Sequence, residues 1–133
     1  MYDILYDNFL SSMDTLRVYS DDNLLFSSEK DGLLPLVEYL DTSDRSGNLV
    51  IMDRVTGNAA ALLSVLAGCT EIYSPLGSEI ATGTLDRHSI TYHFEEIVPY
   101  IKKPNSEEMC PMEKLSLEKE PEEFYKAFLE IRK

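Results

Sequence analysis

The residues best suited to chemistry form one short polar run, residues 53–58, between an apolar stretch and three consecutive alanines. Asp53 can accept a hydrogen bond from a sugar hydroxyl or a base amine, and Arg54 can hold a carboxylate or phosphate through two hydrogen bonds. Gly57 allows a ligand or another part of the backbone to approach closely. A helix that begins in this run also favours an anion at its free N–H groups.

This run therefore predicts a small-molecule site, although a purely structural interpretation is equally well supported. In that interpretation Asp53 only caps the following helix, and Gly57 and the alanines allow close packing. The predicted ligand-binding residues are Asp53, Arg54, Thr56, Gly57, Asn58 and Lys30.

A second candidate site is the tetrapeptide Cys-Pro-Met-Glu at residues 110–113. A nucleophilic cysteine needs a base or a helix N-terminus to lower the pKa of its thiol, and Cys110 precedes a predicted helix start. The packing interpretation is favoured, because Pro111 and Glu113 are typical residues of a first helical turn. The candidate catalytic residues are Asp53, Cys110 and Glu113.

Zinc chemistry of the deaminase type is not predicted. Such sites need a His or Cys beside a catalytic Glu on one helix and a Pro-Cys-x-x-Cys motif on the next. The predicted helix that contains Glu38 has no His or Cys, and the helix after Asp53 has no thiol or imidazole. His88 and His93 lie near a single strand, far in sequence from Cys110. We expect no metal site and no cofactor.

Composition limits the partners that this chain can bind. The 133 residues carry a net charge of −12, which disfavours nucleic acid and anionic membranes because both are polyanions. A small nucleotide needs only one local patch of donors and is not excluded. No segment approaches the ~20 apolar residues of a membrane span, and the N-terminus has no signal-peptide pattern. We therefore expect a cytoplasmic protein with two free cysteines.

Hydrophobic periodicity and turn residues predict alternating helices and strands. The apolar residues at steps of three and four near the N-terminus indicate an amphipathic helix, and two β-rich runs then indicate a hairpin. The predicted elements are a helix over 2–13, strands over 15–20 and 24–28, a helix over 32–40, a polar loop over 41–48, a strand over 49–52, a helix over 55–67, a strand over 69–73 that is broken by 74–78, a helix over 79–87, a strand over 89–94, a loop over 102–108, and a last helix from 121.

This order predicts an α/β fold in which a mixed five-stranded sheet opens with a β-hairpin and carries helices on both faces. The length fits a single domain over 1–133, with a C-terminal loop and helical tail over 102–133 packed on it. In open α/β sheets, ligands bind where strands end and helices begin. The predicted sheet therefore places the site at Asp53.

Three motifs resemble a known family. They are Asp-x-Val-x-Gly-x-Ala-Ala-Ala at 53–61, Val-Pro-Tyr-Ile at 98–101 and Cys-Pro-Met-Glu at 110–113. The chain is similar over nearly its whole length to an uncharacterised prokaryotic family, a domain of unknown function with a cytidine deaminase-like fold. One departure is the hairpin turn, where Asp21-Asp22 replaces a more usual Asp-Gly.

The resemblance implies a three-layer α/β/α sandwich that lacks the zinc ligands of deaminases. It also implies that the helix over 32–40 stands where the His-x-Glu helix would be, and that the segment over 53–61 replaces the Pro-Cys-x-x-Cys helix. The deaminase cleft would then be lined by Asp53, Arg54, Gly57 and Asn58, with Lys30 nearby. Cys110 and Glu113 would close over this cleft from the tail.

Three functions fit these observations. The first is a zinc-free deaminase-fold protein that binds a small nucleotide-like or anionic ligand around Asp53. The second is a metal-independent enzyme that uses Cys110 or Asp53. The third is a structural or interaction module, such as a homo-oligomer, that associates through an exposed apolar patch on the last helix at Phe124 to Leu129.

Overall fold

A mixed six-stranded sheet forms the centre of the protein. The computed structural model describes residues 2–42 and 48–132. The strands are β1 (Leu16–Ser20), β2 (Asn23–Ser28), β3 (Leu49–Asp53), β4 (Val55–Thr56), β5 (Cys69–Ser78) and β6 (Thr91–Val98). The helices are α1 (Asp3–Leu10), α2 (Leu34–Thr42), α3 (Asn58–Ala67), α4 (Glu79–Arg87), α5 (Pro111–Ser116) and α6 (Pro121–Arg132).

The predicted hairpin is confirmed as β1 and β2. Its turn residues Asp21 and Asp22 have φ values of 49° and 70°, the left-handed backbone that tight two-residue hairpin turns require. Strand β1 also pairs antiparallel with β3, and this ladder places Leu16 opposite Asp53. Strands β3, β5 and β6 run parallel to one another, joined through α3 and α4. The sheet is therefore mixed, as the element order predicts.

The prediction of five strands is wrong, because the sheet has a sixth, two-residue strand. Val55 and Thr56 were expected to begin a helix, but they pair with Leu76 and Gly77 of β5. β-branched residues favour this extended conformation, and the helix begins only after Gly57. β3 and β4 therefore pair with successive parts of the same strand, β5, and Arg54 lies between them.

Strand β5 is also longer than predicted. The sequence Ser-Pro-Leu-Gly-Ser at 74–78 was expected to break it, yet the strand continues to Ser78. Pro75 lies where the register between β5 and β6 has no residue pair, so its missing N–H costs no ladder hydrogen bond there. The extension carries β5 alongside β4, and β6 likewise reaches Val98.

Helices cover both faces of the sheet, with a different core on each side. The larger core packs α2, α3, α4 and α6 against side chains such as Val18 and Ile51. The smaller core packs α1 against alternate residues, including Val50 and Met52. Alternation along β3 therefore serves both cores, since successive strand side chains point to opposite faces.

The tail helix α6 lies on the larger core and does not present the apolar patch that the sequence predicted. Phe124 is fully buried, and Phe128 and Leu129 are partly buried against the same core. The exposed large apolar residue of α6 is Ile131, at 59% exposure. The expected association surface is therefore already used within the chain, because Phe124 packs inward.

The remaining expectations concern one loop, the two cysteines and membrane-spanning segments. The polar loop predicted over 41–48 falls largely on residues 43–47, which lie outside the described residues. Cys69 is buried and Cys110 is half-buried, and both thiols are free. Across residues 2–42 and 48–132, no helix is both long and apolar enough to cross a membrane.

Candidate functional site

A cavity of about 320 Å³ lies where β3 ends and α3 begins. Its walls come from the loop before α2, from the junction between β3 and α3, and from the segment that follows β6. Its size is near the lower end of the roughly 300–1,000 Å³ found for small-molecule pockets. The lining residues are Thr15, Asp31, Gly32, Leu33, Asp53, Arg54, Val55, Gly57, Ala59, Ala60, Ile101, Cys110, Met112 and Glu113.

Asp53 is the half-buried carboxyl group at the end of β3, and it lines this cavity. Burial raises its pKa from 3.8 to about 7, against the opposing effect of backbone hydrogen bonds from Arg54 and Val55. The Arg54 amide donates to Oδ1 of Asp53 at 2.9 Å. Asp53 can therefore exist near neutral pH either as a hydrogen-bond donor or as a carboxylate.

Arg54 borders the cavity, but its guanidinium group is directed at the C-terminal end of α1. Four of its five N–H donors bind backbone carbonyls there, and its Cζ lies 4.5 Å from the centre of the Phe9 ring. The accepting carbonyls belong to Phe9 (2.9 Å), Leu10 (3.4 Å), Ser12 (2.9 Å) and Asp14 (3.0 Å). This arrangement differs from the predicted role of Arg54 as an anion clamp, because the guanidinium stabilises a helix end instead.

The first amide of α3 is bound by a carboxyl group of the chain itself. Glu113 is only 2% exposed, and its Oε1 accepts the Asn58 N–H at 2.5 Å. Its Oε2 accepts the Ile101 N–H at 2.8 Å. A negatively charged group at a helix N-terminus is favoured by the helix dipole. Glu113 therefore occupies the position in which the sequence predicted a ligand anion.

Gly57 makes this internal contact possible. A Cβ atom at Gly57 would lie 2.9 Å from Oε1 of Glu113 and 2.9 Å from Cγ1 of Ile101. The absence of a side chain thus allows the tail to approach the start of α3. Of the two roles predicted for Gly57, close approach by another part of the chain is the one that the geometry supports.

Asn58 lies behind the cavity wall and does not line it. Its side-chain amide donates to the carbonyl oxygen and hydroxyl of Ser116, at 3.2 and 3.1 Å. The Thr84 hydroxyl donates to its side-chain oxygen. All polar atoms of this side chain are therefore engaged with α4 and α5. The predicted ligand contact by Asn58 is replaced by a structural link among three helices.

Thr56 and Lys30 are likewise absent from the cavity lining. Thr56 is 1% exposed, and its hydroxyl has no hydrogen-bond partner among the described residues. The Lys30 ammonium group pairs with Glu38 at 2.7 Å on the exposed surface. Neither side chain is placed for the ligand contact that the sequence predicted, since strand alternation turns Thr56 inward and Glu38 holds Lys30 outside.

Cys110 does line the cavity, together with Asp53 and Glu113. Its backbone N–H donates to the Ile101 carbonyl at 2.8 Å, and it directly precedes α5. The structure thus brings together the three candidate catalytic residues. Within the described parts of the chain, no three His, Cys, Asp or Glu side chains are grouped so that they could hold a metal ion.

Comparison with known proteins gives a family but no activity. The family model described as TM1506, a domain of unknown function (DUF1893), matches residues 6–131. The chain belongs to this family. It is similar to the crystal structure of a DUF1893 family protein (TM1506) from Thermotoga maritima, with a TM-score of 0.87 and 26% identity over 96% of this chain and 86% of that one. No curated protein matches.

Some residues of the site were not identified from the sequence. Thr15, Asp31 and Leu33 line the cavity but belong to segments that carry no recognisable site motif. The one local signal in the sequence was Gly32, directly after Asp31. In the structure this glycine adopts a φ of 71°, a conformation that favours glycine. For Ile101, the Val-Pro-Tyr-Ile motif was the available indication.

Proposed function

We propose that this DUF1893 chain binds a small, largely apolar molecule in the cavity beside Asp53. The observation that carries this proposal is a cavity of about 320 Å³ whose lining is mainly apolar and includes the half-buried carboxyl group of Asp53. Ligand sites commonly combine apolar walls with a few polar groups that fix the ligand's orientation. A carboxyl group whose pKa is shifted by burial is also typical of functional clefts.

We also propose that the fold is a zinc-free, three-layer α/β/α sandwich of the cytidine deaminase type. Three features support this assignment: the opening hairpin, its antiparallel pairing with the first of three parallel strands, and the contact between α2 and α3. The starts of these two helices have no thiol or imidazole in the sequence. A zinc-activated water is therefore not part of the proposed function.

The anionic ligand considered from the sequence is no longer favoured. Glu113 already accepts the first amide hydrogen of α3, and Arg54 uses its guanidinium at the end of α1. The two groups expected to bind a phosphate are thus engaged within the chain. We therefore propose a neutral or cationic ligand, and a phosphate-bearing nucleotide is disfavoured.

The proposal can be tested by NMR with a library of small fragments. We expect some fragments to shift the amide signals of Val55, Ala59 and Ala60, which line the cavity. Asp53→Asn should change the affinity of these fragments by about tenfold, roughly one hydrogen bond to a charged group. Asp86→Asn, an exposed change in α4, serves as the matched control. The proposal is wrong if no fragment shifts the cavity amides at millimolar concentration.

A metal-independent enzyme is a second candidate, because Asp53 and Cys110 line the same cavity. A carboxyl group with a pKa of about 7 can donate or accept a proton near neutral pH, as acid–base catalysis requires.

Reaction with iodoacetamide tests whether Cys110 acts as a nucleophile. Burial raises the pKa of Cys69 to about 12, so Cys69 is an internal unreactive control. If Cys110 reacts more slowly than free cysteine at neutral pH, a nucleophilic role is excluded.

A further inference from the structure

The polar groups that line the cavity have an uneven distribution of charge. Asp53 and Asp31 contribute carboxyl groups, and Arg54 is the only cationic residue among the lining residues. Its guanidinium binds backbone carbonyls of the α1 end through four of its N–H groups. The cavity therefore offers acceptors to a ligand and has little free positive charge.

The start of α3, which would otherwise attract an anion, has an acidic side chain of the same chain beside it. Glu113 accepts the Asn58 amide hydrogen and lies against Gly57, so an acidic side chain occupies the positive end of the helix. A second anion placed in the cavity would be close to this carboxylate and to Asp53. Two like charges in a partly desolvated site repel each other strongly.

The rest of the wall is suited to a hydrocarbon group. Leu33, Val55, Ile101 and Met112 surround the cavity from three separate segments of the chain. Burial of apolar ligand surface against these side chains stabilises a complex. The arrangement combines an acidic group with an apolar wall, which matches an ammonium group attached to an apolar body.

We propose that the cavity beside Asp53 binds a protonated amine carried on a small apolar body. This inference rests on the proposed function, because it names the chemical class of ligand for the same cavity. The ammonium group donates hydrogen bonds to Asp53, with Asp31 at the exposed rim of the cavity. The apolar body contacts the apolar lining side chains Ile101 and Met112.

Proton linkage distinguishes this ligand class from an anion. An ammonium group favours the carboxylate form of Asp53, so amine binding should tighten as pH rises toward 7, by at most about tenfold per pH unit. An anion favours the protonated form of Asp53, so anion binding should weaken over the same pH range. The other ionisable or charged residues that line the same cavity as Asp53 are Asp31, Arg54, Cys110 and Glu113.

The experiment compares benzylamine, benzyl alcohol and benzoate, which share one apolar body and differ in charge. Amide shifts of Val55, Ala59 and Ala60 report binding to the cavity, and titrations at about pH 5.5 and about pH 8 give the linkage. We expect benzylamine to bind most tightly, with at least about tenfold higher affinity at the higher pH. Asp53→Asn should remove most of this pH dependence, and Asp86→Asn should preserve it.

Three results are informative in different ways. If benzoate binds in the cavity more tightly than benzylamine, or if benzylamine affinity falls as pH rises, the amine inference is wrong while the proposed function stands. If neither these compounds nor the fragment library shifts the cavity amides, the proposed function itself is wrong. The wild-type pH dependence needs no variant, so the inference remains testable even if Asp53→Asn fails to fold.

Discussion

Gly57 has an ordinary backbone, with a φ of −82°, so its importance comes from the space beside it. Gly57→Ala should reduce the free energy of unfolding by about 1–3 kcal/mol, because the new methyl group presses on Glu113 and Ile101. Gly83→Ala is the matched control, since nothing lies within 4 Å of its Cβ position in α4. That change should stabilise by about 0.5–1 kcal/mol. Urea unfolding checks both values, and equal effects would contradict the contact argument.

Asp53 should make stability depend on pH in a specific direction. Below about pH 4 the group is protonated in both states, whereas between about pH 4 and 7 only the folded protein keeps the proton. The free energy of unfolding should therefore fall by up to about 4 kcal/mol as pH rises through this range. Urea titrations of wild type and Asp53→Asn isolate this effect. As pH rises from about 4 to about 7, the free energy of unfolding of the wild type should fall relative to that of Asp53→Asn. Parallel curves would show that the pKa of Asp53 is not raised.

At the scale of elements, Arg54 joins the junction between β3 and β4 to the end of α1. Arg54→Lys keeps the charge but has too few N–H donors for four carbonyls and no guanidinium to place over the Phe9 ring, so we expect the free energy of unfolding to fall by about 1–3 kcal/mol. Hydrogen exchange at the α1 amides should also become faster. Arg87→Lys, in the last turn of α4, is the control. Unchanged exchange in α1 would show that this helix does not depend on Arg54.

The sequence predicted those elements whose signals are local. The hairpin depends on its own turn residues and α4 on its own periodicity, and both are present. Strand β4 was missed because two residues become a strand only through pairing with β5, which no local pattern shows. The cavity lies at the end of β3, where the sequence predicted a site, but the partners of two of its residues have no local signal. Arg54 meets carbonyls 40 or more positions away, and Gly57 meets the Glu113 side chain, so these roles depend on long-range contacts.

At the scale of the whole molecule, the C-terminal helix is part of the main core. Phe124 of α6 is fully buried and packs in the cluster that includes α3. Phe124→Ala should lower the free energy of unfolding by about 3–5 kcal/mol, the usual cost of emptying a large core position. Ile131→Ala, at a 59% exposed position of the same helix, should change it by no more than about 0.5 kcal/mol. Denaturant midpoints of the two variants would test this. If Phe124→Ala lowered the free energy of unfolding as little as Ile131→Ala, α6 would be only loosely attached to the core.

The contact between Glu113 and α3 has a consequence for the order in which the protein forms. Glu113 follows Asn58 by 55 residues, so a ribosome releases the helix start well before its partner. Until then, solvent or a dissolved anion must satisfy that amide. Completion of the cavity wall is therefore a late event of translation, which comes after all three parallel strands have left the exit tunnel. A released chain that ends at Val98, and so lacks Glu113, should accordingly leave the Asn58 amide open to solvent or to a dissolved anion.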